Sequence, residues 1–588
     1  MTSISPQTAI GIPPIAKDTT RDTAPRGTPS DSAVLDSAHV GDIVGAFGRI
    51  DRDASPGRGW WQRLRMLLVI TGPGLIVMVG DNDAGGVATY TQAGQDYGMK
   101  LLWTLALLVP VLYVNQEMVL RLGAVTRLGH ARLIFERFGK FWGAFSVGDL
   151  LILNALTIVT EFIGVSLALG FLGCPKAIAI PVAAVLLFAV VAGGSFRRWE
   201  QLMFVLIAVN IAIFPLALSV HPTVGASMHG LIPSLPGGGS AVLLLIMAIV
   251  GTTVAPWQLF FQQSNVVDKR ITPRWIPYGR ADLGIGIVVV MCGAIALMAV
   301  TAFGLSGTAA AGSFTDAGAV ATHLSVQIGH TIGVLFAIIL LDASLIGANC
   351  VGLATTYALG DAMGKPHSLH WKITEAPLFY GSYALLLTVS AAVAFSPDHV
   401  LGLITQGVQA LAGVLLPSAT VFLVLLCNDR PVMGPWVNSF RQNALAWMIV
   451  WSLVVLSLML TAVTFFPDLS TATLVIGLGV AAGLGVLGGA VIYTVGWLAQ
   501  RRESDNTVPF GALDLDEVEE LEELPKLTRS EIKAFRNQVR ARWTTPALAT
   551  LERPAISPLR RAGLLTLRTY LVIAGVMVVV KIVQAGLG

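Results

Sequence analysis

The chain has 588 residues, of which 54% are hydrophobic and only 12% are charged, and its mean hydropathy is +0.72. A water-soluble protein of this composition would lack the polar side chains that cover a surface, so we expect the lipid bilayer to be its solvent. The net charge of +3 is small for this length, and no basic stripe rich in aromatic residues is present, which argues against nucleic acid as a partner.

The chain begins with a polar segment. Residues 1–57 are rich in Ser, Thr, Pro, Asp and Gly and have no apolar core. This composition predicts a disordered tail rather than a signal peptide. The first hydrophobic run is therefore expected to remain in the membrane as part of a hydrophobic body that extends over 58–500.

Apolar runs of the length that crosses a bilayer, ~20 residues, follow one another through this body. They lie near 66–94, 99–120, 145–171, 177–193, 199–219, 241–265, 282–304, 332–359, 376–395, 402–427, 443–466 and 472–498. The sequence thus predicts an all-α integral membrane protein with twelve spans. A candidate thirteenth span, 564–586 within 563–588, follows a polar segment at 501–562, whose acidic run precedes a basic amphipathic stretch typical of a surface helix.

Lysine and arginine alternate between the short loops. They are concentrated before span one and in every second loop thereafter, whereas the long segments 220–240 and 305–331 contain neither residue. Cytoplasmic loops retain Lys and Arg, so both termini of the twelve-span body are predicted to face the cytosol, with the protein in the plasma (inner) membrane.

Span one is interrupted near its middle by Asp81, Asn82 and Asp83, followed by Gly85 and Gly86. A carboxylate at bilayer depth costs roughly 2.5–3.5 kcal/mol even on the most lenient insertion scale, so such residues are normally functional or paired. An ion pair inside the bundle is the structural alternative. The adjoining glycines favour a functional site, because they indicate that the backbone unwinds there.

Span six contains a matching interruption. Pro256 lacks an N–H group and clashes with the preceding helical turn, so we expect the helix to break there. Freed carbonyl groups at this depth are tolerated where they line a cavity or meet a cation. Interrupted helices one and six are typical of the five-plus-five inverted-repeat (LeuT-like) transporter fold, with repeats near 66–219 and 241–427 and the binding site between them. Spans 443–498 lie outside the repeats.

Three motifs resemble the natural resistance-associated macrophage protein (Nramp) family of metal transporters. The similarity covers roughly residues 64 to 435. Its motifs are Gly72-Pro-Gly-Leu with the later Gln92-Ala-Gly-Gln-Asp-Tyr-Gly, then Gln116-Glu-Met-Val-Leu-Arg-Leu-Gly, and Thr160-Glu-Phe-Ile-Gly. The resemblance implies a divalent cation as the substrate, no cofactor and no enzymatic activity.

The resemblance also places the metal ligands. The family's Asp-Pro-Gly-Asn falls on Asp83 to Gly86, so the aspartate is kept and the asparagine is lost. The sixth-helix motif places the Thr252 carbonyl at a ligand position and Ala255 at that of the metal-binding methionine. Gln409 stands where the tenth helix offers a glutamine. Asp81 and Asn82 add oxygen atoms beside this set.

Without the thioether sulfur, the remaining ligands are hard donors, which favour hard cations. Carboxylate, carbonyl and water ligands suit Mg²⁺, Ca²⁺ or Mn²⁺, and the volume freed at Ala255 and Gly86 suits an ion that keeps several waters. The sequence therefore favours Mg²⁺ import, as in a Nramp-related magnesium-transporter branch. Proton-coupled Mn²⁺ or Fe²⁺ symport is the alternative.

Proton coupling is expected to be weak or absent. Trp257 occupies the position of the family's sixth-helix histidine and cannot titrate, and of the acidic pair on the third helix only Glu161 remains, with Ile158 at the other position. Asp342 in span eight is a candidate substitute, and pairing with a polar neighbour is its structural alternative.

Three other functions fit parts of the sequence. A sodium-coupled amino-acid carrier of the same fold is disfavoured because two acids in span one would repel a substrate carboxylate. An intramembrane enzyme that uses Asp81 and Asp83 as an acid/base pair lacks a His or Ser partner in this segment. A metal sensor that signals through 501–562 would bind ions without moving them.

Overall fold

The computed structural model describes residues 33–505 apart from 35, 52, 53, 56, 58, 238, 239, 397 and 466–470, followed by residues 537, 539–552, 565, 568, 569 and 572. Within these residues the sheet structure is one antiparallel hairpin of strands β1 (Ile43–Gly45) and β2 (Gly48–Ile50). The helices of the first half are α1 (Trp60–Ile70), α2 (Pro73–Val79), α3 (Ala84–Tyr97), α4 (Leu102–Thr126), α5 (His130–Phe138), α6 (Lys140–Phe171), α7 (Lys176–Ala192), α8 (Phe196–Asn210), α9 (Ile213–Ser219) and α10 (Val224–His229). Those of the second half are α11 (Ser240–Thr253), α12 (Pro256–Asp268), α13 (Ile276–Gly304), α14 (Ala317–Gln327), α15 (His330–Met363), α16 (Pro377–Val393), α17 (Asp398–Cys427), α18 (Arg430–Met433), α19 (Phe440–Phe465) and α20 (Thr471–Asp505).

Each of the twelve predicted apolar runs falls on one helix or on consecutive helices. Among the described residues, nine helical stretches are long and apolar enough to cross a membrane, and α1 with α2 forms a further span bent by 52°. The runs at 177–193 and 376–395 correspond to α7 and α16, which are apolar but shorter. Residues 506–536 of the polar segment, and most of 564–586, lie outside the described part, so the thirteenth span stays a prediction.

The helices pack as two inverted repeats. The two halves of the first broken helix, α2 and α3, pack against α13, whereas the two halves of the second, α11 and α12, pack against α4. Helix α13 is span seven and α4 is span two, so the two arrangements are equivalent under the repeat. The long helices α6 and α15, spans three and eight, pack against each other through the middle of the bundle.

The expectation that the whole of 1–57 is disordered is wrong for its last third. Ser37–His39 form a 3₁₀ turn, and β1 and β2 follow it. Remote side chains fix this segment: the Asp36 carboxylate accepts hydrogen bonds from the Trp371 indole (3.0 Å) and the His367 amide (3.2 Å), and the Arg270 guanidinium donates to the Ala38 carbonyl at 2.7 Å. The composition of residues 1–57 does not reveal these contacts, because the partner residues are remote in the sequence.

The segment lies on the face of the bundle formed by Arg127–Lys140, Lys269–Arg280 and Asn428–Arg441, which we call the basic face. A buried ion pair joins several elements here. The Lys269 ammonium lies 2.5 Å from the Glu200 carboxylate and donates to the Thr71 carbonyl at 2.7 Å. The other Glu200 oxygen accepts from the Ala46 amide at 2.5 Å. These contacts hold the bend between α1 and α2 against α8 and the end of α12.

Candidate functional site

The first helix break separates α2 from α3. Residues 80–83 leave the helix, and Asp83 caps the start of α3, where its carboxylate accepts a hydrogen bond of 2.7 Å from the Gly86 amide. Aspartate is a favoured N-cap because its oxygen satisfies an amide that has no partner within the helix. Asp81, Asn82 and Asp83 are all buried, at 0, 2 and 3% exposure.

The second break separates α11 from α12. Helix α11 ends at Thr253, and α12 begins with Pro256. At the first position of a helix the N–H group has no acceptor within the helix, so proline costs no hydrogen bond there. Ala255 is the N-cap, with an extended backbone (φ −91°, ψ 147°). The predicted interruption at Pro256 is confirmed, because Val254 and Ala255 separate the two helices.

The two breaks meet at Gly86. A Cβ atom built on this glycine would lie 2.8 Å from the Asp81 carbonyl oxygen, 3.3 Å from the Thr252 hydroxyl and 3.4 Å from Asp83 Oδ1. Gly86 has no side chain that could supply a ligand atom, and this lack of a side chain lets three oxygen atoms from both broken helices lie around one position. Gly86 stands where the family has an asparagine, and these oxygens border the space that the asparagine side chain would fill.

Helix α17 closes the same space from a third direction. The Gln409 side-chain nitrogen lies 1.7 Å from the position that a Cβ would take on Gly85, and Asp83 Oδ1 lies 3.3 Å from that position. The Gln409 amide thus occupies the space left by Gly85 and lies beside Asp83. The predicted residues Asp81, Asp83, Thr252 and Gln409 are brought together, with Gly86 between them.

Several buried polar atoms around these residues have no hydrogen-bond partner in the described part of the protein. They are Asp81 Oδ2, Asn82 Oδ1, Glu161 Oε1, the Thr252 hydroxyl and the Gln409 amide nitrogen. Most buried polar atoms in proteins are paired, because each unpaired one retains much of its desolvation cost. A concentration of unpaired oxygen atoms is expected where a ligand completes the set.

Glu161 of α6 joins the carboxylates of the first break. One of its oxygens accepts a hydrogen bond from the Ala84 amide at 3.1 Å, and its carboxyl group interacts with that of Asp83. A Cβ on Gly347 of α15 would lie 2.7 Å from Asp83 Cβ and 2.9 Å from Glu161 Cδ, so this glycine allows the close approach.

No Lys, Arg or His side chain among the described residues pairs with Asp81, Asp83 or Glu161. The described residues also contain no group of three or more His, Cys, Asp or Glu side chains arranged to hold a metal. A cation here would therefore rely on mixed oxygen donors, namely carboxylates, main-chain carbonyls, a hydroxyl, an amide and water.

The other predicted site residues lie at the edge or elsewhere. The Asn82 amide points to α13 and donates to the Val290 carbonyl at 3.3 Å. Ala255 is 5% exposed and presents only a methyl group. Asp342 accepts from the Asn210 side chain at 3.4 Å, which matches the structural alternative rather than a place beside Asp83.

Sequence reasoning missed a polar stripe that leads away from the site. Gln258 donates a hydrogen bond to Asp81 and accepts one of 3.0 Å from Gln116 of α4. Gln262 and Asn265 follow Gln258 at helical spacing on α12, and both are buried. In Gln262, Asn265 and Asn115, the side-chain nitrogen and oxygen both lack a hydrogen-bond partner among the described residues. The spacing of three amides through an apolar span was the available signal.

The two broken helices converge, inside a helical bundle, on acidic groups that have no cationic partner among the described residues. This arrangement defines the class of the protein as an integral membrane protein with the inverted-repeat transporter fold. A sequence model of the family described as natural resistance-associated macrophage protein-like matches residues 74–463. The chain belongs to this family.

Individual relatives agree with this assignment. The chain is 29% identical over 408 residues to the divalent metal cation transporter MntH of Ralstonia nicotianae, covering 66% of this chain and 88% of the relative. It is 26% identical over 428 residues to MntH of Staphylococcus saprophyticus, covering 68% and 93%. The crystal structure of a manganese transporter from Eremococcus coleocola superposes with a TM-score of 0.60 at 19% identity, covering 80% of this chain and all of that one. These relatives are transporters and not enzymes.

Proposed function

We propose that the protein carries a divalent metal cation across the membrane by alternating access, with the cation held between the two broken helices. The observation that carries this proposal is the set of three buried acidic groups at the breaks, Asp81, Asp83 and Glu161, without a cationic partner among the described residues. Uncompensated buried charge is strongly unfavourable, so a cation is the natural counterpart. The names of the MntH relatives support a divalent metal as that cation.

Asp83 is the principal ligand in this proposal. It is assisted by Asp81, the Thr252 carbonyl, the Gln409 amide and retained waters. Asn82 lies at the margin of the set. Rocking of one repeat against the other exposes the site to each side of the membrane in turn, as broken-helix carriers do. The full burial of the ligands is consistent with a closed state of the carrier. Transport needs no covalent step.

We further propose Mg²⁺ as the preferred ion. The donor set consists of oxygen atoms, and Ala255 offers no sulfur where a softer transition metal would gain from one. Mg²⁺ keeps several of its waters, so a site with few direct protein ligands suits it. Mn²⁺ transport is the second candidate, because the solved relative from Eremococcus coleocola is a manganese transporter.

Coupling to protons is weak or absent in this proposal. Trp257 is fully buried, and its ring packs against Phe261 at 6.1 Å between centroids, so it cannot relay a proton. Ile158 is also fully buried and apolar. Glu161 contacts Asp83 directly, which makes it a neighbour of the cation rather than the start of a separate proton route.

The polar stripe of Gln258, Gln262 and Asn265 provides the route between the site and one side of the membrane. These amides follow α12 from Asp81 to the basic face, where the helix ends at Asp268. Amide groups replace hydration waters one at a time without trapping the ion as a carboxylate would. The excess of Lys and Arg supports a cytosolic position for the basic face, and in this proposal the ion leaves there during import.

Uptake measurements test the proposal. Purified protein is reconstituted into liposomes that contain a pH-sensitive dye, and Mg²⁺ and Mn²⁺ are added outside. We expect Mg²⁺ entry without internal acidification. Entry of Mn²⁺ alone, with acidification, would replace the proposal by proton-coupled symport, and binding without entry would identify a sensor.

A further inference from the structure

The N-terminal segment formed by residues 36–50 lies at the end of the polar stripe, and we call it the clasp. Gln262 and Asn265 of the stripe are fully buried, and so is Asp268, the last residue of α12. The His39 side chain of the clasp lies beside this end of the helix, with its Nε2 atom 3.9 Å from the Asp268 carboxylate. An ion that leaves the stripe towards the basic face therefore meets the clasp.

The loop that follows α15 shares this position with the clasp. The Asp268 carboxylate accepts a hydrogen bond of 3.0 Å from the Leu369 amide in this loop. The Asp36 carboxylate of the clasp accepts from the Trp371 indole at 3.0 Å and from the His367 amide at 3.2 Å. The clasp, the loop and the end of α12 are thus joined to one another.

The clasp also contacts α1. Two of its glycines allow a close approach to this helix. A Cβ atom on Gly45 would lie 2.3 Å from the Val69 carbonyl oxygen, and one on Gly48 would lie 3.2 Å from the Val69 side chain. Helix α1 continues through a bend into α2, the first half of the first broken helix. The clasp is therefore packed on the helix that leads to the candidate cation site.

The turn between β1 and β2 binds α8. The Ala46 amide donates to the Glu200 carboxylate at 2.5 Å, and the Ala46 carbonyl accepts from the Gln201 side chain at 3.1 Å. The Phe47 ring packs on Phe204, with 4.8 Å between the ring centroids. One short hairpin thus contacts both α1 and α8.

These contacts divide between the two repeats. Helices α1 and α8 belong to the first repeat, whereas α12 and the loop after α15 belong to the second. In carriers with broken helices, one repeat rocks against the other to open the site. Movement of the repeats apart on the basic face must therefore break one of the two sets of contacts that the clasp makes.

We propose that the clasp is the gate of the ion route on the basic face, and that it releases one repeat each time the ion leaves. This inference rests on the proposed transport function. The clasp holds the closed state through a few hydrogen bonds and one ring contact, so each of them contributes to the ratio of closed to open molecules. Loss of any one contact shifts this ratio towards the open state.

The test measures how fast a reagent reaches the polar stripe. Asn265→Cys serves as the reporter, in a background with Cys174→Ser and Cys292→Ser, because these are the two native cysteines that are not buried. Full-length protein in nanodiscs without metal is labelled with a membrane-impermeant maleimide. The unfolding temperature of each variant is measured alongside.

Two variants weaken the clasp at independent contacts. Asp36→Ala removes the acceptor for the loop after α15, and Asp36→Asn keeps one acceptor oxygen. Phe47→Ala removes a ring that is 54% exposed, so the fold should tolerate it. Phe141→Ala is the matched control, because this ring at the start of α6 is 50% exposed and is not part of the clasp.

We expect the reporter to be labelled about tenfold faster in Asp36→Ala, because the variant loses hydrogen bonds to a charged group. Phe47→Ala should label several-fold faster, as expected for the loss of an aromatic pair, and Asp36→Asn should lie between wild type and Asp36→Ala. A faster rate in either folded variant supports the gate. The proposal is overturned when neither folded variant is labelled faster, or when Phe141→Ala increases the rate as much as Phe47→Ala.

Labelling requires no metal, so the gate and the transport function can fail separately. Faster labelling in a protein that takes up no Mg²⁺ or Mn²⁺ would overturn the transport proposal alone. Normal uptake with unchanged labelling would overturn the gate alone.

Discussion

The side-chain amide of Gln409 occupies the space that a Cβ atom on Gly85 would need, because the Gln409 side-chain nitrogen lies 1.7 Å from that Cβ position. This relationship links α17 to the first broken helix at the candidate cation site. A methyl group at position 85 must displace the amide, which is the flexible end of its side chain, so folding is preserved while the site changes.

We therefore expect Gly85→Ala to retain a nearly normal unfolding temperature and to weaken cation binding by about tenfold or more, as loss of a supporting contact at a metal site does. Equilibrium binding of Mg²⁺ and thermal unfolding of the purified variant measure the two effects. Gly148→Ala is the matched control, because a Cβ at Gly148 in α6 meets nothing within 4 Å. Undiminished Mg²⁺ binding in Gly85→Ala would remove Gln409 from the ligand set.

Ala255→Met tests the hardness of the donor set. The new thioether stands at the second helix break and favours softer ions, so the preference for Mn²⁺ or Cd²⁺ over Mg²⁺ should rise roughly tenfold, equivalent to about 1.4 kcal/mol. Competition between the ions for uptake measures this ratio. Ala255→Leu, of similar size but without sulfur, controls for bulk. An equal change in both variants would mean that volume rather than softness sets the selectivity.

Gln262→Leu tests the polar stripe. Both amide atoms of Gln262 are buried without partners among the described residues, so replacing them by an apolar group of similar size should leave stability unchanged or raise it. Flux should nevertheless fall several-fold, because the ion loses one group along its route, while Mg²⁺ binding at equilibrium stays normal. A variant with normal flux would exclude the stripe as the route.

Two histidines on the basic face make stability depend on pH in opposite directions. Burial, together with the neighbouring His367, lowers the pKa of His39 to about 4. Burial also acts to lower the pKa of His367, but the Asp361 carboxylate at 3.0 Å outweighs it and raises that pKa to about 9. The ordinary value for both is 6.5.

The sign of each effect follows from linkage. The stabilisation from His367 is complete below pH 6.5 and is lost as the pH rises through about 9. His39 destabilises the fold progressively as the pH falls from 6.5 towards 4, because the unfolded chain binds the proton more readily. The difference in unfolding temperature between wild type and His367→Gln should therefore shrink above pH 9. The exposed His229→Gln is the control, and a pH-independent difference for His367→Gln would contradict this account.

The sequence predicts the parts of this structure that depend on local chemistry. Hydropathy locates the helices, and Pro256 locates the second break, because a missing N–H group acts on its own helix. The bend at Gly72 between α1 and α2 was not predicted, since it depends on remote Asp282, which accepts hydrogen bonds from the Gly72 and Gly74 amides. The contact of Gln258 with Asp81 was missed for the same reason.

Asp83 is the proposed ligand of the transported cation. This role is tested by Mg²⁺ uptake into proteoliposomes that contain wild type, Asp83→Asn or Asp342→Asn. Asp342 is an intramembrane acid whose described partner is Asn210. We expect Asp83→Asn to reduce uptake by roughly 100-fold or more with normal folding, and Asp342→Asn to transport at close to the wild-type rate. Full Mg²⁺ uptake by Asp83→Asn would contradict the assignment of the site.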